Sequence, residues 1–213
     1  MNFLGYQGGL FKLFEWISKF AYVNVLWMAF SFIGLIIFGF FPATIAMFTI
    51  VRKWIMGDTD ISIFKQFWSI YKQEFIKSNL LGLLLILVAG IIYVNLIYIE
   101  ANTGNLLVLT HIPLYLFMFA FILTVIYLFP VYVHYDVKFF QMFKNSFLIM
   151  IINPIYTLMM ILGIIGTYYG LSLVPGLIFF FGGSALTYII MWPSYQAFQK
   201  VEKKKEKTVE TNS

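Results

Sequence analysis

Four long stretches free of Asp, Glu, Lys and Arg constrain this chain more than any other feature: residues 20–51, 79–99, 101–135 and 145–199. A helix rising about 1.5 Å per residue needs about 20 apolar residues to cross a hydrocarbon core of about 30 Å. Each run is long enough for a crossing, and the last is long enough for two. The composition agrees: 62% of the residues are apolar and 11% charged, against about 45–50% and 25% in soluble domains. Mean hydropathy is +0.89. One soluble core cannot hide that much apolar surface, so soluble enzymes and disordered chains are excluded. With no cysteine, so is a disulfide scaffold. The fold class expected is all-α, a polytopic transmembrane bundle of about five spans with two interfacial amphipathic helices.

The spans are placed near 20–41, 79–99, 107–133, 146–168 and 174–197, in a single membrane-embedded unit covering 1–199 with a charged tail at 200–213. The segment 100–105 (Glu-Ala-Asn-Thr-Gly-Asn) has the turn chemistry of a loop. Two glycines and a proline within 169–176 make the other outer turn. No A-x-A-type cleavage site follows the first apolar run, so it is expected to be a retained span and not a signal peptide.

Lysine and arginine set the orientation. Segment 52–78 carries Arg52, Lys53, Lys65, Lys72 and Lys77; the loop near 134–145 carries Lys138 and Lys144; the tail carries Lys200, Lys203, Lys204, Lys205 and Lys207. With five spans these twelve of fourteen positive residues share one side, the cytoplasmic face of a cell membrane, with the C-terminus. The N-terminus, with Lys12 and Lys19, then falls outside. In this arrangement Pro42 starts a second helix that continues past the cytoplasmic interface. The alternative turns the chain back at Gly39-Phe40-Phe41-Pro42 into a re-entrant hairpin, which puts all fourteen on one side. Its second arm, 43–54, is short, at about 18 Å against about 30 Å.

Two stretches read as interfacial helices. In 10–19, Leu10, Leu13, Phe14 and Ile17 recur at i, i+3, i+4, i+7. In 61–78, Phe64, Phe67, Trp68, Tyr71 and Phe75 form an aromatic stripe with Lys65, Ser69, Lys72 and Gln73 opposite, the composition of a helix lying in the membrane plane. That stripe is also a candidate contact surface for a partner, as are Asn24, Pro42, Arg52 and Trp54. The basic charge is accounted for by topology, so no nucleic-acid partner is expected.

Little in the sequence carries chemistry. His134 and Asp136 lie two residues apart, about 200° around a helix, and do not form an acid–base pair. The two histidines lack ligand spacing, and no phosphate-binding G-x-x-x-x-G-K-[ST] occurs. No catalytic residue, metal or cofactor is expected. No Asp, Glu, Lys or Arg lies near a span centre, where a coupled carrier keeps an ionisable group. Asn153-Pro154 breaks the helical hydrogen-bond ladder inside the fourth span, as a packing kink or as the lining of a pathway. Gly166 and Gly170 form a G-x-x-x-G, read first as packing within the bundle.

Asn24-Val25-Leu26-Trp27, Gly39-Phe40-Phe41-Pro42-Ala43-Thr44-Ile45-Ala46-Met47 and Val51-Arg52-Lys53-Trp54 resemble the YesL-like family of bacterial integral membrane proteins. Phe67-Trp68, Phe75-Ile76-Lys77-Ser78-Asn79, the run Phe129 to Asp136 and Lys144-Asn145-Ser146 are similar to it too. The resemblance implies a Gram-positive setting. It also implies a non-enzymatic accessory role in carbohydrate uptake, as partner or assembly factor of the permease subunits of an ABC transporter. A small transporter or channel in its own right is the alternative, lined around Asn153-Pro154.

Overall fold

The computed structural model describes residues 3–101 and 108–212, which form seven helices and no strand. They are α1 (Phe3–Ile33), α2 (Phe40–Ile55), α3 (Ile63–Ala101), α4 (Val108–His134), α5 (Phe139–Ile152), α6 (Pro154–Ser172) and α7 (Pro175–Asn212). Five stretches are long and apolar enough to cross a membrane: Gly9–Ile33, Ile63–Ile99, His111–His134, Pro154–Ser172 and Pro175–Lys204. These are the features of a multi-pass membrane protein. Most of the expected loop at 100–105 lies outside the described residues.

The first span differs from expectation. It ends at Ile33, not near 41, and the chain folds straight back. Trp27 Nε1 donates to Thr44 Oγ1 at 3.0 Å, and the rings of Trp16 and Trp54 meet edge-on with centroids 5.7 Å apart. Helices α1 and α2 are therefore antiparallel, as in the alternative hairpin, but the chain turns at 34–39, ahead of the expected Gly39-Phe40-Phe41-Pro42, which lies largely inside α2, and α2 is longer than the 12 residues read from the sequence. Gly34 and Gly39 make the turn: each backbone lies so close to the other that a Cβ on either would collide with it. Between them Leu35 and Ile36 sit at φ 58° and 64°, the left-handed region that costs non-glycine residues energy.

The two interfacial helices are not separate elements. Residues 10–19 continue without a break into the first span, and of 61–78 the part from Ile63 onward continues into the second. The helix runs unbroken through Ser78-Asn79, where Asn79 Nδ2 donates to Phe75 O at 2.7 Å and to Phe38 O at 2.9 Å. The aromatic stripe of α3 packs inward on Phe30, whose ring lies 5.2 Å from Phe67, 5.4 Å from Trp68 and 5.1 Å from Tyr71.

Helix α2 is the centre of the bundle. Pro42 to Phe48, Ile50, Val51 and Trp54 are all buried, against residues of α1, α3, α4 and α7 including Val23, Phe67, Leu128, Val131 and Met191. Asn153-Pro154 divides α5 from α6, so the fourth span begins at Pro154 and not near 146. Pro154 lacks the N–H that would reach Met150 O; Thr157 Oγ1 supplies the donor at 3.2 Å. At the other end α7 runs on through the charged segment as helix to Asn212.

Candidate functional site at the charged end of the bundle

Most of the charged side chains of the bundle stand at one end. Arg52 occupies the last turn of α2, His134 ends α4, and Glu202 lies seven residues beyond Tyr195 on α7. Arg52 Nε donates to His134 Nδ1 at 3.1 Å, and His134 Nε2 stands 3.4 Å from Glu202 Oε1. The donor on Nδ1's side leaves that nitrogen as acceptor, so the ring proton sits on Nε2 and points at Glu202. The imidazole also stacks among Tyr135, Tyr195 and Phe198, with centroids 4.7–5.7 Å away. Next to it, burial first and then the Glu202 carboxylate push the Tyr135 phenol above its usual range.

Beside this relay a cavity of about 380 Å³ opens between α3, α4 and α5, lined by Glu74, Lys77, Tyr132, Tyr135, Asp136 and Met142 among others. Tyr132 donates to Glu74 Oε2 at 2.6 Å. Two carboxylates and one lysine around an open volume suit a polar or cationic group from outside the chain. Among the described residues no group of three or more metal-ligating side chains converges.

The candidate residues from the sequence go to different places. Arg52 joins the relay. Asn24 is buried against α7, where its Nδ2 donates to Phe179 O at 2.7 Å and its Oδ1 accepts from Ser184 N at 3.0 Å. Trp54 is buried against Trp16 and Phe20, its indole N–H without a hydrogen-bond acceptor. Pro42 lies in the first turn of α2 and is buried. Of the aromatic stripe, Phe67 and Tyr71 are buried and Phe75 is partly so, which leaves Phe64 and Trp68 exposed for an outside contact. Asn153 is buried, with its Oδ1 unpartnered, next to Pro154 on the surface. Gly163 packs on Ile189, but Gly166 and Gly170 face open space, so the expected intramolecular use of that pair is corrected. The Arg52–His134–Glu202 relay escaped sequence reasoning because Glu202 stands in a lysine-rich run and reads as solvated charge.

The family described as "Protein of unknown function, DUF624" matches residues 20–96. That stretch holds α1 from Phe20 onward, all of α2 and nearly all of α3. Over nearly the whole chain, the "Uncharacterized protein YteU" of Bacillus subtilis (strain 168) is 38% identical across 198 residues, 93% of this chain and 89% of the relative. The chain belongs to the DUF624 family. Two more DUF624-like relatives from the same organism agree: YesL is 36% identical over 199 residues, 93% of this chain and 94% of its own, and YesV is 34% identical over 188 residues, 88% and 90% respectively. No solved structure matches this DUF624 member.

Proposed function

We propose that this DUF624 protein is a non-enzymatic accessory subunit of the cell membrane that binds a permease of an ABC-type carbohydrate uptake system through its charged end. What carries the reading is the division of polar groups. Inside the spans they tie helix to helix, as Asn24 does to Ser184 and Tyr127 to Thr157 at 3.0 Å. The open polar cavity, with Glu74, Lys77 and Asp136, lies at one end. A docking surface needs that arrangement; a pathway needs the reverse. With α1 and α2 folded back, Lys12 and Lys19 stand at the end that carries Arg52, and Lys19 reaches Thr59 O at 3.0 Å. All fourteen basic residues then share the cytoplasmic side, with both termini inside. This replaces the outside N-terminus expected from five simple spans.

Capture of the tagged protein in a mild detergent tests the reading. An ABC permease is recovered with it, and a deletion strain takes up oligosaccharide more slowly. Recovery of the protein alone, with unchanged uptake, overturns it.

The second reading, a small transporter, is favoured by one observation: Asn153 Oδ1 is a buried acceptor with nothing to accept. Purified protein in liposomes that moves a sugar or an ion, and loses that flux in Asn153→Leu, supports it. Absence of flux across sugars and monovalent ions removes it.

A further inference from the structure

Trp54 is 4% exposed, and its indole N–H is closed to water and has no hydrogen-bond acceptor. The rings of Trp16 and Phe20 lie 5.7 and 5.5 Å from it, centroid to centroid, but an aromatic face is only a second-order acceptor. Buried donors are almost always paired, because leaving one unmade is costly. The chain thus holds a place for an acceptor that it does not itself supply. Trp54 stands in the wall of a groove of about 640 Å³ between α1, α2, α6 and α7. None of the described lining residues is charged. Lys19, over the Trp16 ring at 5.5 Å, is already engaged by Glu15 and by Thr59 O. The groove therefore selects by shape and by one donor, not by charge.

Its dimensions and depth identify the occupant. Along α7 the lining runs from Phe181 to Trp192, about 16 Å of helix, close to half of a hydrocarbon core of about 30 Å. The tryptophans mark the end nearer the charged groups: Arg52 shares the last turn of α2 with Trp54, and Tyr195, one turn beyond Trp192, lies 5.7 Å from the His134 ring. Indoles gather at that depth, where hydrocarbon meets headgroups. A soluble ion or sugar finds no polar wall here, and a plain hydrocarbon has nothing to offer the N–H. A glycerolipid answers both. Its chain is one leaflet long, and at the interfacial end of that chain stands an ester carbonyl, an acceptor with no donor of its own. We propose that the groove holds one acyl chain of a glycerolipid, whose ester carbonyl accepts from Trp54 Nε1 while the chain runs past Ala185 toward Phe181. Seating the carbonyl turns a neighbouring ring aside, since Nε1 is closed to water, and the groove gives that ring room.

The site is tested on the full chain by native mass spectrometry from micelles doped with equal amounts of a diester phosphatidylcholine and its diether analogue, which has the same headgroup and chains but no ester carbonyl. The wild-type protein retains the diester about fivefold over the diether, the factor that corresponds to one hydrogen bond of about 1 kcal/mol. Trp54→Phe, which keeps an aromatic ring and removes the N–H, retains the two lipids equally. Trp68→Phe, on the exposed part of the α3 stripe, keeps the preference. Ala185→Phe, which fills the groove, lowers the retention of both lipids. Equal retention of diester and diether by the wild type overturns the proposal, and so does an undiminished preference in Trp54→Phe. Displacement of the bound diester by an equal amount of an isoprenoid quinone also overturns it, marking the groove as a site for a ring carbonyl instead.

Discussion

The side-chain amide of Asn24 on α1 is built into the backbone of α7 at Ser184. Its Oδ1 accepts from the Ser184 N–H at 3.0 Å and its Nδ2 donates to Phe179 O at 2.7 Å. The approach is possible because residue 183 is glycine; a Cβ there would lie 2.9 Å from Asn24 Oδ1 and 3.2 Å from the Trp27 ring. One polar side chain thus sets the distance and register of the first and last helices.

Asn24→Leu removes both hydrogen bonds between α1 and the α7 backbone and lowers stability by about 1–2 kcal/mol. Gly183→Ala, which forces α1 and α7 apart, acts in the same direction. The thermal midpoint of the detergent-solubilised protein falls in both, and a midpoint unchanged in Asn24→Leu contradicts the role given to this contact.

The relay at the charged end behaves as one unit. His134→Ala removes the acceptor for Arg52 and the donor toward Glu202 together, so adding Glu202→Gln to it costs little more. The double-mutant cycle between the two positions gives a coupling of about 0.5–3 kcal/mol in unfolding free energy. Additive effects show instead that the 3.4 Å contact is energetically idle.

Topology is open to direct measurement because the chain has no cysteine. Ser18→Cys and Asp58→Cys, both exposed, react with an impermeant maleimide only when the cytoplasmic face is opened. Ile36→Cys at the hairpin turn, where Phe32, Ile33, Leu35, Ile37 and Phe38 are exposed and apolar, stays unlabelled from both sides. Labelling of position 18 in intact cells restores the outside N-terminus.

Glu74→Gln together with Asp136→Asn removes both carboxylates from the 380 Å³ cavity without touching the relay. The permease recovered with the protein drops severalfold while its own melting temperature stays within a few degrees. Full recovery of the permease moves the contact away from this cavity.

Which parts were legible in sequence follows from the range of the forces involved. Apolar runs depend on composition alone, and the membrane-crossing stretches emerge from them directly. The α1–α2 hairpin was ambiguous because its turn holds no polar residue. Gly34 and Gly39 mark it only through their mutual approach, a property of two strands of chain and not of either. The aromatic stripe of α3 has the pattern of a surface helix, but Phe30, more than thirty residues earlier, covers half of it. A hydrophobic period reports that a face is apolar and is silent on whether lipid or protein meets it. The charged end was hidden for a similar reason. Arg52, His134 and Glu202 are spread over 150 residues, and no local pattern joins them.

Helix α2 also bears on how such a bundle comes together. It has 16 residues, and its walls come from α1 and α3, made beside it, and from α4 and α7, made much later. Gly183, which places the Met47 side chain against α7, is among the last parts of the membrane-embedded chain to leave the ribosome. During synthesis one flank of α2 therefore waits, sheltered in its hairpin with α1, until the C-terminal helix arrives. A chain cut before α7 keeps four of its five membrane-crossing stretches and loses the wall that completes its centre.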